Sequence, residues 1–357
     1  MIVGATVRRL DRPHKPWQGC IRYSDGRRIS KVFPWQTVQT KSQAIKALGE
    51  WKSEVEGKSS ATPLPDYCDA YLEMLSPSLE KSTLSGYSQS IKHVKELGNI
   101  PLSAIEPRMV QAWEKDMTAR GLSSSTVGKA HRLLKQICKH AVNVGDLIKN
   151  PCDPVKPPKR DAPSPNALDS KGRARLMSLL DSMRPCPLRT AAYISLLTGM
   201  RRGEVCALMN SDIDLERMEI HVRRSIGIGS GGAYIKAPKT YAGKRAIPIT
   251  ERLKTALTAS QGQTYVLGGD TFYNPTRLGR EWAAFAKSFG IIGTEGRVCT
   301  FHDLRHTYAT VAISNGADVR SVASILGHSS AALTLNVYAS ADADAKRRAA
   351  EIVGNSI

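Results

Sequence analysis

The sequence predicts a mainly α-helical, multidomain protein that carries small β-sheets. Three observations predict it. Helical apolar spacing dominates the middle and the end of the 357 residues, short β-like runs are confined to the start and to one stretch after residue 217, and a proline-rich segment cuts the chain between them.

Residues 1–57 open with the β-like runs WQGCIRYSD and RRISKVFPW, separated by Asp25-Gly26, a pair that favours a tight hairpin turn. The stretch KSQAIKALGEWKSEVEG follows, with Ala44, Ile45, Leu48 and Trp51 at helical spacing. Basic residues, including Arg8, Arg9, Arg12, Lys15, Arg22, Arg27, Arg28 and Lys31, lie mostly on the sheet part and alternate with Trp17, Tyr23 and Trp35. A basic hairpin held by its aromatic residues accounts for this pattern, and so does a surface that binds nucleic acid.

The linker EGKSSATPLP leads into residues 58–155, which read as helices throughout: LPDYCDAYLEML, KSTLSGYSQSIKHVKELG, EPRMVQAWEKDMTARG and SSSTVGKAHRLLKQICKHAVNVG. In the fourth segment Ser123, Ser124 and Ser125 offer an N-cap, and Val127, Leu133, Leu134 and Ile137 form an apolar face. Lys129, His131, Arg132, Lys135 and Lys139 load the rest of that helix with basic groups, as either a solvated face or a DNA-contacting one. Prolines in NPCDPVKPPKRDAPSPN can neither continue a helix nor pair as a central strand, so this stretch reads as an interdomain linker. Residues 156–357 then run as helices, a small sheet (MEIHVRRS, AYIKAPKT, KRAIPIT) and helices again.

Lys and Arg number 51 against 32 Asp and Glu, a formal charge of +19 that attracts polyanions and predicts salt-dependent binding. No run of 18 apolar residues and no basic-then-apolar leader is present, so the expectation is a soluble cytoplasmic protein with no membrane partner. Cys20, Cys68, Cys138, Cys152, Cys186, Cys206 and Cys299 are scattered, odd in number and without a Cys-x-x-Cys pair, which predicts reduced thiols rather than a disulfide frame or a zinc site.

The most informative residues are Arg201, Lys239, His302, Arg305, His328 and Tyr338, in TGMRRGEV, APKTYAGKR, FHDLRHTYAT, ILGHSS and TLNVYA. The apolar run AAYISLLTG reads as a buried helix that delivers Arg201 to a fixed place, with Glu204 three residues on as an ion-pair partner. His302 and Arg305 share one helix face, and Gly327 reads as the left-handed end of the helix before His328. Lys236 and Lys244 compete with Lys239, and Tyr308 competes with Tyr338 but falls on a helix that packs it inward. His302 and His306 could be half of a metal site, but no further ligand cluster with suitable spacing accompanies them, so no metal is expected.

This ordered series resembles the tyrosine recombinase, or phage-type integrase, family, whose signature is Arg, Lys, His-x-x-Arg, His or Trp, and Tyr. The resemblance covers residues 156–357 closely and 58–155 more loosely. It implies that Arg201 and Arg305 clamp the scissile phosphate, which fork-shaped guanidinium groups do better than lysine. It implies Tyr338 as nucleophile; a free tyrosine has a pKa of about 10, so its attack needs a base or a cationic surrounding. Lys239 would be the general acid, His302 the proton acceptor or a phosphate ligand, and His328 a further phosphate contact. The product would be a 3′-phosphotyrosyl bond that stores the energy of the broken linkage, so neither nucleotide cofactor nor metal is expected.

By the same resemblance, residues 1–57 are an arm-type DNA-binding domain that lays a three-stranded sheet in a major groove. Residues 58–155 are a helical, SAM-like core-binding domain, and 156–357 a catalytic domain ending in a tail. The DNA-contact candidates are Arg22, Arg27, Arg28, Lys31, Lys129, Arg132 and Lys135. The implied partners are double-stranded DNA at core and arm attachment sites and three further copies in a tetramer that works through a Holliday junction, with a host DNA-bending protein and an excision factor as accessories. The expected function is integration and excision of a mobile element. A resolvase or invertase of the same chemistry, and a non-catalytic DNA-binding regulator on the same scaffold, are the alternatives.

Overall fold

The computed structural model describes residues 2–24, 26–57, 61–159, 164–237, 243–258 and 264–328, with Ser330 and Gly354. The chain divides into two compact units, Met1–Asp161 and Ala162–Ile357.

The first unit begins with β1 (Ile2–Arg9), β2 (Trp17–Tyr23) and β3 (Arg28–Val32), an antiparallel sheet in the order β1-β2-β3. β1 is an edge strand with mostly exposed side chains, so it lacks the buried alternation by which β2 announces itself. Trp17, Gly19, Ile21 and Tyr23 are buried on one face of β2, and Ala44 and Leu48 of α1 (Lys41–Gly57) join them in one core. Ile45, expected on that face, is exposed, because it stands one position past the stripe set by Ala44 and Leu48.

Four helices follow: α2 (Leu64–Leu75), α3 (Lys81–Lys95), α4 (Pro107–Ala119) and α5 (Ser124–Val144). The Ser123 hydroxyl caps α5 by accepting from the Thr126 N–H, and Val127, Leu133, Leu134 and Ile137 are all buried in the helical core. His131 corrects the sequence reading. It is only 2% exposed, and its Nδ1 lies 2.5 Å from Oε1 of Glu114 on α4. The fourth helix therefore turns one of its expected surface basic groups inward, and an acidic neighbour satisfies it.

The second unit is built from α6 (Ser170–Ser182), α7 (Pro187–Thr198), α8 (Arg202–Cys206), β4 (Ile213–Asp214), β5 (Glu219–Val222), β6 (Ser225–Gly229), β7 (Gly232–Lys236), β8 (Arg245–Pro248), α9 (Glu251–Thr258), α10 (Pro275–Ser288), α11 (Phe301–Ser314) and α12 (Val319–Leu326). The expected single small sheet is two: β4-β5-β8, and a separate β6-β7 hairpin closed by Ser230 and Gly231. β7, in AYIKAPKT, pairs with β6 instead of lying between β5 and β8. The core gathers around α7, in which every residue from Thr190 to Leu196 is buried; a helix buried on every side belongs at the centre of a domain. Among the described residues, no helix is long and apolar enough to cross a membrane.

Candidate active site

Burial of α7 fixes the first of the signature residues. The helix ends at Gly199, whose φ of +67° is a left-handed conformation, and the reversed chain carries Arg201 to the start of α8. There the Arg201 backbone N–H donates to Glu204 Oε2 at 2.9 Å, and its Nη1 donates to Oε1 of the same carboxylate at 2.9 Å. Arg201 Nη2 reaches the carbonyl of Gly327 at 3.0 Å. The expected Arg201–Glu204 pair is thus present, and a third segment is tied to it.

That third segment is the end of α12. Gly327, at φ +66°, donates to the Ser324 carbonyl, and the His328 N–H donates to that of Ala323, which closes the helix and leaves His328 half-buried just beyond it. α11 supplies the other pair. Thr300 and Asp303 cap it reciprocally, with the Thr300 N–H donating to Asp303 Oδ2 at 2.7 Å and the Asp303 N–H to Thr300 Oγ1 at 3.3 Å. This pins the first turn, where His302 keeps part of its surface exposed and the rest packed against the site, and places Arg305 one turn on at 3% exposure. Arg305 Nη1 donates to the Gly199 carbonyl at 2.7 Å. Each arginine is therefore anchored to the segment beside another signature residue.

The histidines register the resulting field. Burial, then the charges of His306, Arg305 and Arg201, push His302 down to about 4. His328 is pushed down to about 4 by burial and by Arg305, Arg201 and Arg245. Both imidazoles are neutral at physiological pH in the free protein, and among the described residues the permanent positive charge of the site comes from arginines. His306, half-buried, lies edge to face with His302 at a centroid distance of 4.8 Å, and burial lowers its pKa too. A cavity of about 710 Å³ opens beside this group, lined by Arg201, Arg202, Gly279, Trp282 and His302 among others. Such a site offers an anion fixed cations, neutral imidazoles and a concave wall.

Arg201, His302, Arg305 and His328 are thus brought together, and Glu204 supports them. Lys239 and Tyr338 lie outside the described residues. Tyr308, the rival tyrosine, packs with Ala309, Val322 and Leu326, and burial raises its pKa, which is the wrong direction for a nucleophile. Sequence reasoning missed Arg245, which donates to both Glu204 oxygens, and Gly199, which bears the carbonyl that Arg305 uses.

The DNA-contact candidates separate by environment. Cross-strand register puts Arg22 and Arg28 opposite each other on the open face of the first sheet, together with Arg8 opposite Gln18. Arg27 is on the helix-covered side: its guanidinium stacks over Tyr23 at 5.3 Å and donates to the Ile148 carbonyl, a structural engagement that removes it from the open face. Lys31, register partner of the buried Gly19, is exposed on that same side at the sheet edge. Lys129 and Arg132 are exposed beside a groove of about 520 Å³ between α3 and α5, whereas Lys135 is half-buried and pairs with Asp153 at 3.1 Å.

Comparison with known proteins agrees with this geometry. Residues 166–345 match the phage integrase family, and residues 63–156 match the phage integrase SAM-like domain. The tyrosine recombinase XerC of Neisseria gonorrhoeae is 26% identical over 78% of this chain and 92% of its own. The ICEBs1 integrase of Bacillus subtilis is 26% identical over 81% of this chain and 82% of its own. The fold matches that of the Tn1549 transposon integrase in complex with transposon right end DNA, with a TM-score of 0.69 at 24% identity over 81% of this chain and 99% of that one. With Arg201, His302, Arg305 and His328 brought together and its second unit matched almost throughout, the chain belongs to the phage integrase family of tyrosine recombinases.

Proposed function

We propose that this protein is the integrase of a phage or other integrative element, acting in the cytoplasm of a bacterial host on double-stranded attachment-site DNA. The observation that carries the reading is the convergence of Arg201, Arg305, His302 and His328, drawn from three separate helix ends, beside a cavity that Arg201 and His302 line.

In this reading the guanidinium groups of Arg201 and Arg305 hold the non-bridging oxygens of the scissile phosphate and meet the charge that grows on them in the transition state. The Tyr338 hydroxyl attacks phosphorus, losing its proton as the new O–P bond forms and the P–O5′ bond breaks. Lys239 gives a proton to the departing 5′-oxygen, and His302 accepts the tyrosine proton or holds the phosphate. His328 donates to a phosphate oxygen. Attack by a 5′-hydroxyl from a second duplex reverses these steps and reseals the strand, so no nucleotide is consumed. Exchange between two duplexes requires four cleavages, hence four copies and a Holliday-junction intermediate.

Residues 1–57, with Arg22 and Arg28 on an open basic face, serve as the arm-binding module; 58–155, with Lys129 and Arg132, grip the core site; 156–357 carry the chemistry. The separate basic N-terminal module favours an integrase over a simple resolvase, and the intact arginine and histidine set favours an enzyme over a DNA-binding regulator.

The test uses supercoiled plasmid carrying the DNA that flanks the gene, in chelator and without nucleotide, quenched in detergent. Relaxation and a covalent protein–DNA band are expected with the wild type and neither with Tyr338→Phe, while Arg201→Ala binds but does not cleave. Tight, salt-sensitive binding with no adduct on the flanking sites, joined or separated, would replace the integrase with the regulator.

A further inference from the structure

Glu204 is a carboxylate shared by two arginines, and the second of them lies outside the signature set. Arg245 Nη2 donates to Glu204 Oε2 at 2.8 Å and its Nη1 approaches Oε1 at 3.3 Å. The Arg245 side chain is 5% exposed and that of Glu204 8%. Arg245 also donates through Nε to the Ile325 carbonyl and through Nη1 to the Gly243 carbonyl at 3.3 Å. A single buried guanidinium therefore ties together the carboxylate behind Arg201, the last turn of α12 that leads to His328, and the start of β8. In sequence that strand begins six residues after Lys239.

The chemistry of the shared carboxylate gives this arrangement a purpose. Glu204 receives four N–H groups: the backbone and Nη1 of Arg201, and two from Arg245. An isolated Arg–carboxylate pair is frequently a two-pronged fork, in which two parallel guanidinium N–H groups go to the two carboxylate oxygens. Here Arg245 occupies the other side of the carboxylate, Arg201 gives Glu204 only one side-chain bond, and Arg201 Nη2 is drawn instead to the Gly327 carbonyl. Arg201 thus spends only two side-chain N–H groups on these partners, and the side chain, 39% exposed, lines the cavity. Burial works to raise the Glu204 pKa, but the bonds and charge of Arg245, with the charge of Arg201, outweigh it and hold the carboxyl below its ordinary range.

We infer that Arg245 is a positioning residue for strand cleavage: by engaging Glu204 and Ile325 together it keeps the Arg201 guanidinium turned toward the scissile phosphate and locks the His328 segment and the start of β8 to the same carboxylate. This rests on the integrase reading above.

The test compares Arg245→Gln and Arg245→Lys with the wild type in the full chain, measuring DNA affinity, single-turnover formation of the covalent adduct at saturating DNA, and thermal midpoint. The wild type must form the adduct first; if it does not, the integrase reading has failed independently of Arg245. Given an active wild type, Arg245→Gln is expected to bind DNA within a few-fold of normal and to cleave about 10- to 100-fold more slowly per bound molecule, the size of loss that misplacing a reacting group brings. Arg245→Lys restores charge without the fork and is expected to recover part of the rate, which keeps the test usable if the glutamine variant fails to fold. An unchanged rate per bound molecule in the folded variants, with only the midpoint or the affinity lowered, would make Arg245 an ordinary buried ion pair and overturn the inference.

Discussion

Arg305 donates through Nη1 to the backbone carbonyl of Gly199 at 2.7 Å, so the orientation of a buried cation on α11 depends on how the chain leaves α7. Gly199 can serve because it has no side chain. At its φ of +67°, a Cβ would lie 2.5 Å from Leu326 Cδ2 and 2.9 Å from Tyr308 Cδ1. Gly199→Ala combines left-handed strain with a clash against the last turn of α12, and we expect a loss of about 2–4 kcal/mol in stability. DNA cleavage is expected to fall further than stability alone explains, because Leu326 is two residues from His328. Calorimetry with single-turnover cleavage checks this; an alanine variant of wild-type stability would show that the α12 end yields freely.

Glu114 and His131 make the second prediction. Both are buried, and burial pushes the Glu114 pKa up against the opposing charge and hydrogen bond of His131. Removing one partner from a buried pair leaves the other uncompensated, so Glu114→Ala is expected to cost about 3–5 kcal/mol in the helical part of the first unit. Replacing both with leucine removes the polar cost as well and is expected to recover most of that loss. Native-state hydrogen exchange of the α4 and α5 amides reads the effect locally. A single variant as protected as the wild type would mean that the pair contributes nothing.

What was legible in the sequence was local. α2 spans LPDYCDAYLEML residue for residue, and the Ser123 cap and the Gly327 helix end fell where their chemistry placed them, because caps and apolar spacing act over a turn or two. Arg201, His302, Arg305 and His328 were legible as an ordered series for a different reason: their spacing belongs to a family. What escaped was decided by contacts distant in sequence. Arg245 is 41 residues from Glu204, and no local pattern separates it from Lys244, its exposed neighbour. His131 looked like one more basic group on α5 because its partner sits on another helix. Arg27 and Arg28 are adjacent, yet strand alternation sends one to Tyr23 and the other to the open face.

That last contrast is testable. If the open face of the first sheet binds DNA, Arg22→Ala and Arg28→Ala will each weaken binding to arm-site DNA and reduce the slope of log K against log salt by about 1, with little change in stability. Arg27→Ala removes a stacked and hydrogen-bonded guanidinium and is expected to lower stability while leaving the salt slope nearly unchanged. Salt titrations of affinity with thermal midpoints for the three variants separate these effects. Equal slope changes at all three positions would contradict the assignment of faces.

The site histidines link stability to pH in a direction that can be worked out. His328 and His302 are held at about 4 in the folded chain against an ordinary 6.5, and His306 is also lowered. Between those values the unfolded chain binds more protons than the folded one, so stability rises with pH through this window. The contribution is fully present above about 6.5 and is lost as pH falls toward 4. His328→Asn removes one titrating group and is expected to flatten the dependence of the thermal midpoint on pH between 4 and 6.5. A phosphodiester bound between the arginines adds a negative charge beside His328, so DNA is expected to raise the pKa of His328 and strengthen it as a donor to phosphate. Imidazole resonances followed by NMR with and without a cleavage-deficient DNA complex decide the point. A His328 signal that titrates near 6.5 in the free protein and does not move on binding would remove that residue from the phosphate site.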